Sequence, residues 1–273
     1  MIRLTPTPKN RVLLLAAVSA IALAGCAKAP TPEEKYMSEL VEQKNLLPAT
    51  PEERETAKRL EPLAQAAFWN DEYDKNPGDY ENALEFAKAL QLINSHKRAA
   101  EITAQALALK PGDPALAMTY AKSALHEGRP DLAGSALEQA EPNVDNDWKF
   151  YSMIGICFDQ VGDHANAQLR YMRALRISPD NPKVLSNLGL SQALSGDPAQ
   201  AEKTLRRAVG LPEADAQIRQ NLALVLGVQG KFEEAAKLSA SDLPQTIVRE
   251  NNDYYRSLLS QDRHWGALKD TEE

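Results

Sequence analysis

Five alanines, Ala99, Ala133, Ala167, Ala201 and Ala235, recur at a single spacing of 34 residues with no insertion or deletion. Such a period marks a stacked array of like units, each too small to bury its apolar face alone. Further columns fill when units are counted from Tyr80, Pro114, Trp148, Pro182 and Ala216. The eighth position is always small (Ala87, Ala121, Gly155, Gly189, Ala223), and the residue before it is always large and apolar (Phe86, Tyr120, Ile154, Leu188, Leu222). A helix-stopping residue occupies the fifteenth (Asn94, Gly128, Gly162, Gly196, Gly230). The twenty-seventh is alanine (Ala106, Ala140, Ala174, Ala208) until Asp242. Alanine is common in this chain, so one column would mean little. Four in one ungapped register define a repeat.

The period and its columns resemble the tetratricopeptide repeat (TPR). The resemblance implies an all-α fold: a right-handed solenoid of five helix-turn-helix repeats (80–113, 114–147, 148–181, 182–215 and 216–249) with flanking capping helices. In such a unit the small eighth and twentieth residues lie where two antiparallel helices cross, and larger neighbours such as Phe158 and Tyr171 fill the space around them. Gly162-Asp163 and Gly196-Asp197 stop one helix and cap the next, because Gly reaches positive φ cheaply and Asp accepts from free N–H groups. Pro114, Pro130, Pro182 and Pro198 sit at helix starts, where proline is tolerated. Residues 52–79 read as an N-terminal capping segment, with Leu60, Leu63, Ala67 and Phe68 on its apolar side, Pro62 kinking or dividing it, and Trp69 and Tyr73 covering the first repeat. The fifth repeat loses its pattern at Ser239 and Asp242. A C-terminal capping helix is expected at 245–265, with a frayed tail at 266–273.

The N-terminus has a different character. Arg3, Lys9 and Arg11 precede an apolar stretch from Val12 to Leu23, and then comes Leu23-Ala24-Gly25-Cys26. A basic start, a short apolar core and small residues form the pattern of a signal peptide, here 1–25, and the stretch is too short to span a bilayer as a helix. The last four residues resemble the lipobox of bacterial lipoproteins. That resemblance implies lipid on Cys26 and a tether over 26–51, rich in Pro, Glu and Lys, with at most a short helix at Glu33–Asn45. Two or more acyl chains anchor stably where one does not. Ala27 and Lys28 follow the cysteine without an Asp, which by the familiar sorting rule points to the outer membrane, facing the periplasm.

The chain carries a net charge of −7, and loss of a basic signal segment would make it more acidic still. An acidic chain without a basic stripe excludes nucleic acid as a partner. Cys157 is the only cysteine besides Cys26, and it reads as a small buried apolar residue. His96, His126, His164 and His264 are the four histidines; His96 and His164 share one inter-helix turn position and read as solvated. No metal, phosphate or nucleophile motif is present. The reading is therefore not an enzyme, with no cofactor, no metal and no small-molecule substrate.

The TPR resemblance implies that the first helix of each repeat lines a concave groove through positions two, five, nine and twelve. Position nine reads Lys88, Lys122, Ile156, Leu190, Leu224, turning from basic to apolar along the array. Ser152, Ser186, Ala193 and Gly227 are small neighbours, and Lys149, Asp159, Lys183, Gln217 and Gln220 form a polar rim. The position-nine line can instead pack against the neighbouring repeat. If open, a channel of this kind suits an amphipathic helix or an extended peptide. Position five (Leu84, Met118, Ser152, Ser186, Gln220) lacks the residues of the carboxylate clamp found in some TPR domains.

Lipobox, tether, repeats and capping end together resemble the TPR lipoproteins of pilus assembly, either the TadD family of Tad/Flp systems or the pilotins of type IV pili. The stretch from Asn251 to Leu259 adds to the TadD likeness. The resemblance implies an envelope-protein partner, a pilus secretin, to be escorted to or assembled in the outer membrane. A general scaffold for envelope or outer-membrane protein assembly is the alternative. Cys26→Ala is expected to abolish metabolic labelling with palmitate, and a wild-type chain that takes up no label would remove the lipoprotein reading.

Overall fold

A carboxylate or amide stands immediately before every repeat, at Asp79, Asp113, Asp147, Asn181 and Asp215. Each accepts a hydrogen bond from one or two backbone N–H groups of the helix that follows. These donors have no partner inside the helix, so each cap contributes about 1 kcal/mol. The structure, a computed structural model, describes residues 31–33, 35–36 and 47–269, with side chains as far as residue 259. The expected signal segment, Cys26 and residues 270–273 lie outside the described residues, as does most of Glu33–Asn45.

The chain divides into two units, Met1–Thr50 and Pro51–Glu273. In the first, Lys35 N donates to Thr31 O at 2.9 Å, closing one helical turn. The second contains thirteen α-helices among the described residues. Two precede the repeats: α1 (Pro51–Ala57) and α2 (Pro62–Lys75). The repeats are the pairs α3 (Tyr80–Leu92) and α4 (His96–Leu109), α5 (Pro114–His126) and α6 (Pro130–Ala140), α7 (Trp148–Gln160) and α8 (His164–Ile177), α9 (Pro182–Leu194) and α10 (Pro198–Val209), α11 (Ala216–Val228) and α12 (Phe232–Ser239). Last comes α13 (Gln245–Lys269), which continues through the start of the tail expected to fray at 266. The fold is a TPR solenoid.

Each pair turns through one residue with positive φ: Asn94, Gly128, Gly162, Gly196 and Gly230. Pairs then stack, each helix on the next. First helices of successive repeats also touch one another directly, and α11 touches α13 in the same way. The first helices therefore form the inner face of the array.

The crossing within each pair is set by its smallest residues. Ala99, Ala133, Ala167, Ala201 and Ala235 are at most 1% exposed. A Cβ on Gly155 would lie 2.5 Å from Cε1 of Tyr171, and one on Gly189 would lie 2.6 Å from Cγ of Leu205. In both repeats the absent methyl is the space that the large residue of the second helix fills. The fifth repeat stitches the same crossing with polar groups: buried Ser239 donates to Gln220 Oε1 at 3.0 Å, and Arg219 pairs with Asp242 through two hydrogen bonds.

At the N-terminal end Pro62 does divide the capping segment, but the apolar side differs from expectation. Leu60 and Leu63 are exposed, while Ala66, Trp69 and Tyr73 are buried with Phe86, Ala87 and Leu90 of the first repeat. Large aromatic faces displace the smaller leucines from the interface because each buries more area. Glu72, also buried, is held by Arg54 at 3.3 Å and Lys75 at 2.6 Å, the first of which ties α1 to α2.

Gly155→Ala is expected to destabilise the array by about 1–3 kcal/mol through overpacking against Tyr171. Gly162→Ala, at φ +81° with open space around the new methyl, should cost about 1–2 kcal/mol from backbone strain alone. Urea midpoints check the pair, and full tolerance of Gly155→Ala would remove the crossing constraint.

Candidate protein-binding groove

The groove is best built from the line at position nine. Lys88 and Lys122 are exposed, Ile156 and Leu190 are half-buried, and Leu224 is 36% exposed. The line thus reaches the surface along its length instead of disappearing between repeats. Lys88 is paired with Glu85 at 2.7 Å. Lys122 and Ile156 line a concavity of about 270 Å³ between α5 and α7, together with Leu125, His126, Met153 and Gln160. Lys149 and Lys183 stand exposed near the starts of α7 and α9, the former with its ammonium 5.8 Å from the centre of the Trp148 ring.

The expected small floor is not open. Ser152 and Ser186 are only 7% and 3% exposed, because the next repeat covers them. Asn187 Nδ2 donates to Ser152 Oγ at 3.3 Å, and Asn221 Nδ2 donates to Ser186 Oγ at 2.9 Å. The two bonds repeat with the period of the fold and stitch consecutive first helices together. Gly227 is covered likewise: Tyr255 of α13 occupies the space that a side chain there would need.

Asp159 also leaves the rim for the interior. Its carboxylate meets His164 Nδ1 at 2.8 Å and accepts from Ser191 Oγ at 2.6 Å and the Tyr171 hydroxyl at 2.8 Å. The knot joins the third repeat to the fourth, and burial together with the Asp159 charge pushes the Tyr171 phenol up, so it donates at any ordinary pH. His164 is consequently half-buried and engaged, not a solvated turn residue. Gln220 is half-buried between Asp242 and Ser239. Of the expected surface, Lys88, Lys122, Lys149, Ile156, Lys183, Leu190 and Leu224 remain accessible. Ser152, Ser186, Asp159 and Gln220 serve repeat packing.

His96 likewise differs from the solvated reading, being half-buried against the exposed His126. Their rings stack at 3.9 Å with planes 3° apart, across the join of the first and second repeats. The cue available in the sequence was their spacing, which places one at the start of α4 and the other at the end of α5. Cys157 is buried, and burial, followed by the Glu138 charge, pushes its thiol up to about 12, so no thiolate is presented near neutral pH. No group of three or more His, Cys, Asp or Glu that could hold a metal ion occurs among the described residues.

With this geometry in place, comparison with known proteins is specific about the repeat. Residues 149–181 and 182–207 each match a sequence model described as the tetratricopeptide repeat. These are tetratricopeptide repeats. Among solved structures, the chain is similar to TTC0263, a thermophilic TPR protein of Thermus thermophilus, at 21% identity and a TM-score of 0.54, covering 66% of this chain and 98% of that one. It is similar to YrrB, a TPR protein with an unusual peptide-binding site, at 16% identity and a TM-score of 0.51, covering 67% and 96%. It is also similar to PilF of Pseudomonas aeruginosa at 16% identity and a TM-score of 0.52, covering 67% and 90%. Identities this low speak to the fold alone. Among curated protein sequences, none matches the chain.

The lowered titration of His96 makes stability depend on pH. Burial first, and the His126 ring second, hold His96 below its ordinary value of about 6.5. At neutral pH both folded and unfolded forms carry His96 uncharged. As the pH falls below 6.5 the unfolded chain takes up a proton that the folded one resists, so stability falls. The melting temperature is expected to drop between pH 7 and pH 5, and His96→Phe, which keeps a flat ring without the titration, should drop less. Equal drops in the two proteins would remove His96 as a source.

Proposed function

We propose that the chain is a non-catalytic interaction protein of the cell envelope, whose TPR groove holds a segment of another protein while lipid on Cys26 fixes it to the outer membrane. The single observation behind this reading is the accessible aliphatic line Ile156–Leu190–Leu224 on the inner helices. Aliphatic side chains left at a surface in one row are stabilised by being covered, by about 1.5–3 kcal/mol each when burial is complete. Three of them, partly buried and aided by the lysines, support micromolar binding after the cost of association. The likeness of fold to a protein with a peptide-binding site agrees with a groove used in this way.

The partner we propose is a secretin subunit of a pilus system. The lipobox, tether, repeats and capping end support it by their resemblance to the pilus-assembly lipoproteins, and the fold shared with PilF is consistent with it. The anchoring reading rests on Cys26 and its surroundings. No helix among the described residues is long and apolar enough to cross a membrane.

Leu224→Glu is the direct test, because this side chain is open enough to be charged without disturbing the core. The variant should keep wild-type helicity and melting temperature and lose at least tenfold in capture of secretin subunits, as read by co-purification and surface plasmon resonance. Capture of a barrel-assembly complex in place of secretin subunits would point to the general envelope scaffold. Undiminished capture by Leu224→Glu would move the site off the groove.

A further inference from the structure

The last helix keeps one half of the repeat's register and abandons the other. Tyr255 of α13 packs on Gly227 of α11, and Leu259 lies 3.9 Å from where a Cβ on Gly230 would stand. Counting on by the 34-residue period, α13 takes the place of a sixth first helix. In the five earlier ones, positions four and seven face the second helix of the same repeat and are mostly buried. Here they are Asp253 and Arg256, which are exposed and pair with each other at 3.4 Å. Position five, which the next repeat covers at Ser152 and Ser186, is Tyr254, and position nine, on the groove line, is Leu258. Tyr254 is 58% exposed and Leu258 is half-buried. The face that would receive another second helix has become polar, while the groove face has stayed apolar.

Charge is sorted along the same face. On α5, α7, α9 and α11, Asp159 is consumed inside the fold and Arg219 is paired with Asp242. The full charges left exposed there are Lys122, Lys149 and Lys183, on a chain whose net charge is −7. Lys149 and Lys183 lie seven residues before position nine, about 10 Å along their helices, which is one helix diameter to the side of the aliphatic line. Amides are largely spoken for. Asn187 and Asn221 donate to Ser152 and Ser186, Gln217 donates to Asn221, and Gln220 is tied to Asp242 and Ser239. An extended peptide laid along Ile156–Leu224 would bury backbone N–H and C=O groups against aliphatic side chains with few partners to meet them. A helix satisfies its own backbone.

We infer that the groove runs on across α13 as one line, Ile156–Leu190–Leu224–Leu258, and that its occupant is an acidic amphipathic α-helix. The inference rests on the groove reading proposed above and names the partner's chemistry. Neighbouring helix axes stand about 8–10 Å apart, so three steps span about 24–30 Å, the length of a helix of about 16–20 residues. Its apolar stripe covers the four aliphatic residues and Tyr254, and carboxylates on its flank meet Lys149 and Lys183, with Lys122 near one end.

The test uses synthetic 20-residue peptides and the full-length chain, read by fluorescence anisotropy. One peptide carries a leucine stripe at helical spacing with glutamate flanks. The controls replace glutamate by lysine, scatter the leucines, or place two prolines at the centre. The acidic striped peptide should bind at least tenfold more tightly than any control and weaken as salt is raised. Tyr254→Ala and Leu258→Asp should each weaken it about tenfold with helicity unchanged. Equal or tighter binding of the basic or proline peptide overturns the inference, and so does failure of the acidic striped peptide to bind at millimolar concentration. If Leu224→Glu weakens the peptide but Tyr254→Ala and Leu258→Asp do not, the groove stands and its extension over α13 is wrong. If none of the three variants weakens it, the groove reading falls as well.

Discussion

Everything in this fold depends on how closely two helices can approach inside one repeat. Where the crossing residue is glycine, as at Gly155 and Gly189, the partner side chain is Tyr171 or Leu205 and fills the vacated volume. Buried alanines at the twentieth position keep the other side of the same crossing narrow. Because interiors are packed to near-crystal density, the approach distance sets the tilt of each pair, and the tilt sets how the next pair can stack. Nearest-neighbour contacts of this kind make stability a sum of local terms, so an error at one crossing is felt first by its own repeat and its two neighbours.

Polar groups do a second job that apolar packing does not. The Asn187–Ser152 and Asn221–Ser186 bonds, the Asp159 knot and the Arg219–Asp242 pair all join elements of the solenoid, each with its partners in place. A hydrogen bond contributes only about 1 kcal/mol net, but leaving one of these half-buried groups unpaired costs more. Sliding one repeat against the next would break the bonds that cross a boundary, Asn187–Ser152, Asn221–Ser186 and Ser191–Asp159. The bonds thus fix the alignment of repeats whose apolar surfaces alone would tolerate small shifts.

The periodic part of this architecture was legible in the residues before the structure. Small residues at the crossings and helix stops at the turns act over short sequence distances, so their spacing declares them. The cap column from Asp79 to Asp215 declares itself in the same way, at the same period. Whether a given side chain is open depends on what lies one repeat away, and there the residues alone were a poor guide. Ser152 and Ser186 looked like open floor but are covered by asparagines 35 positions on. Asp159 looked like rim but faces residues on both sides of a repeat boundary. His96 and His126 stack only because two repeats meet at that place.

The polar face of α13 bears on a hazard general to arrays of this design. Repeats related by a constant step present unlike surfaces at their two ends, and a contact between unlike ends does not close on itself but propagates into a filament. An apolar position four or seven on the last helix would offer every molecule a seat for a helix of another. Asp253 and Arg256 occupy those two places, with Arg256 laid 4.9 Å from the centre of the Phe232 ring. Any copy docking there would have to strip water from both charges. Two charged side chains thus stand where a further second helix would need apolar partners.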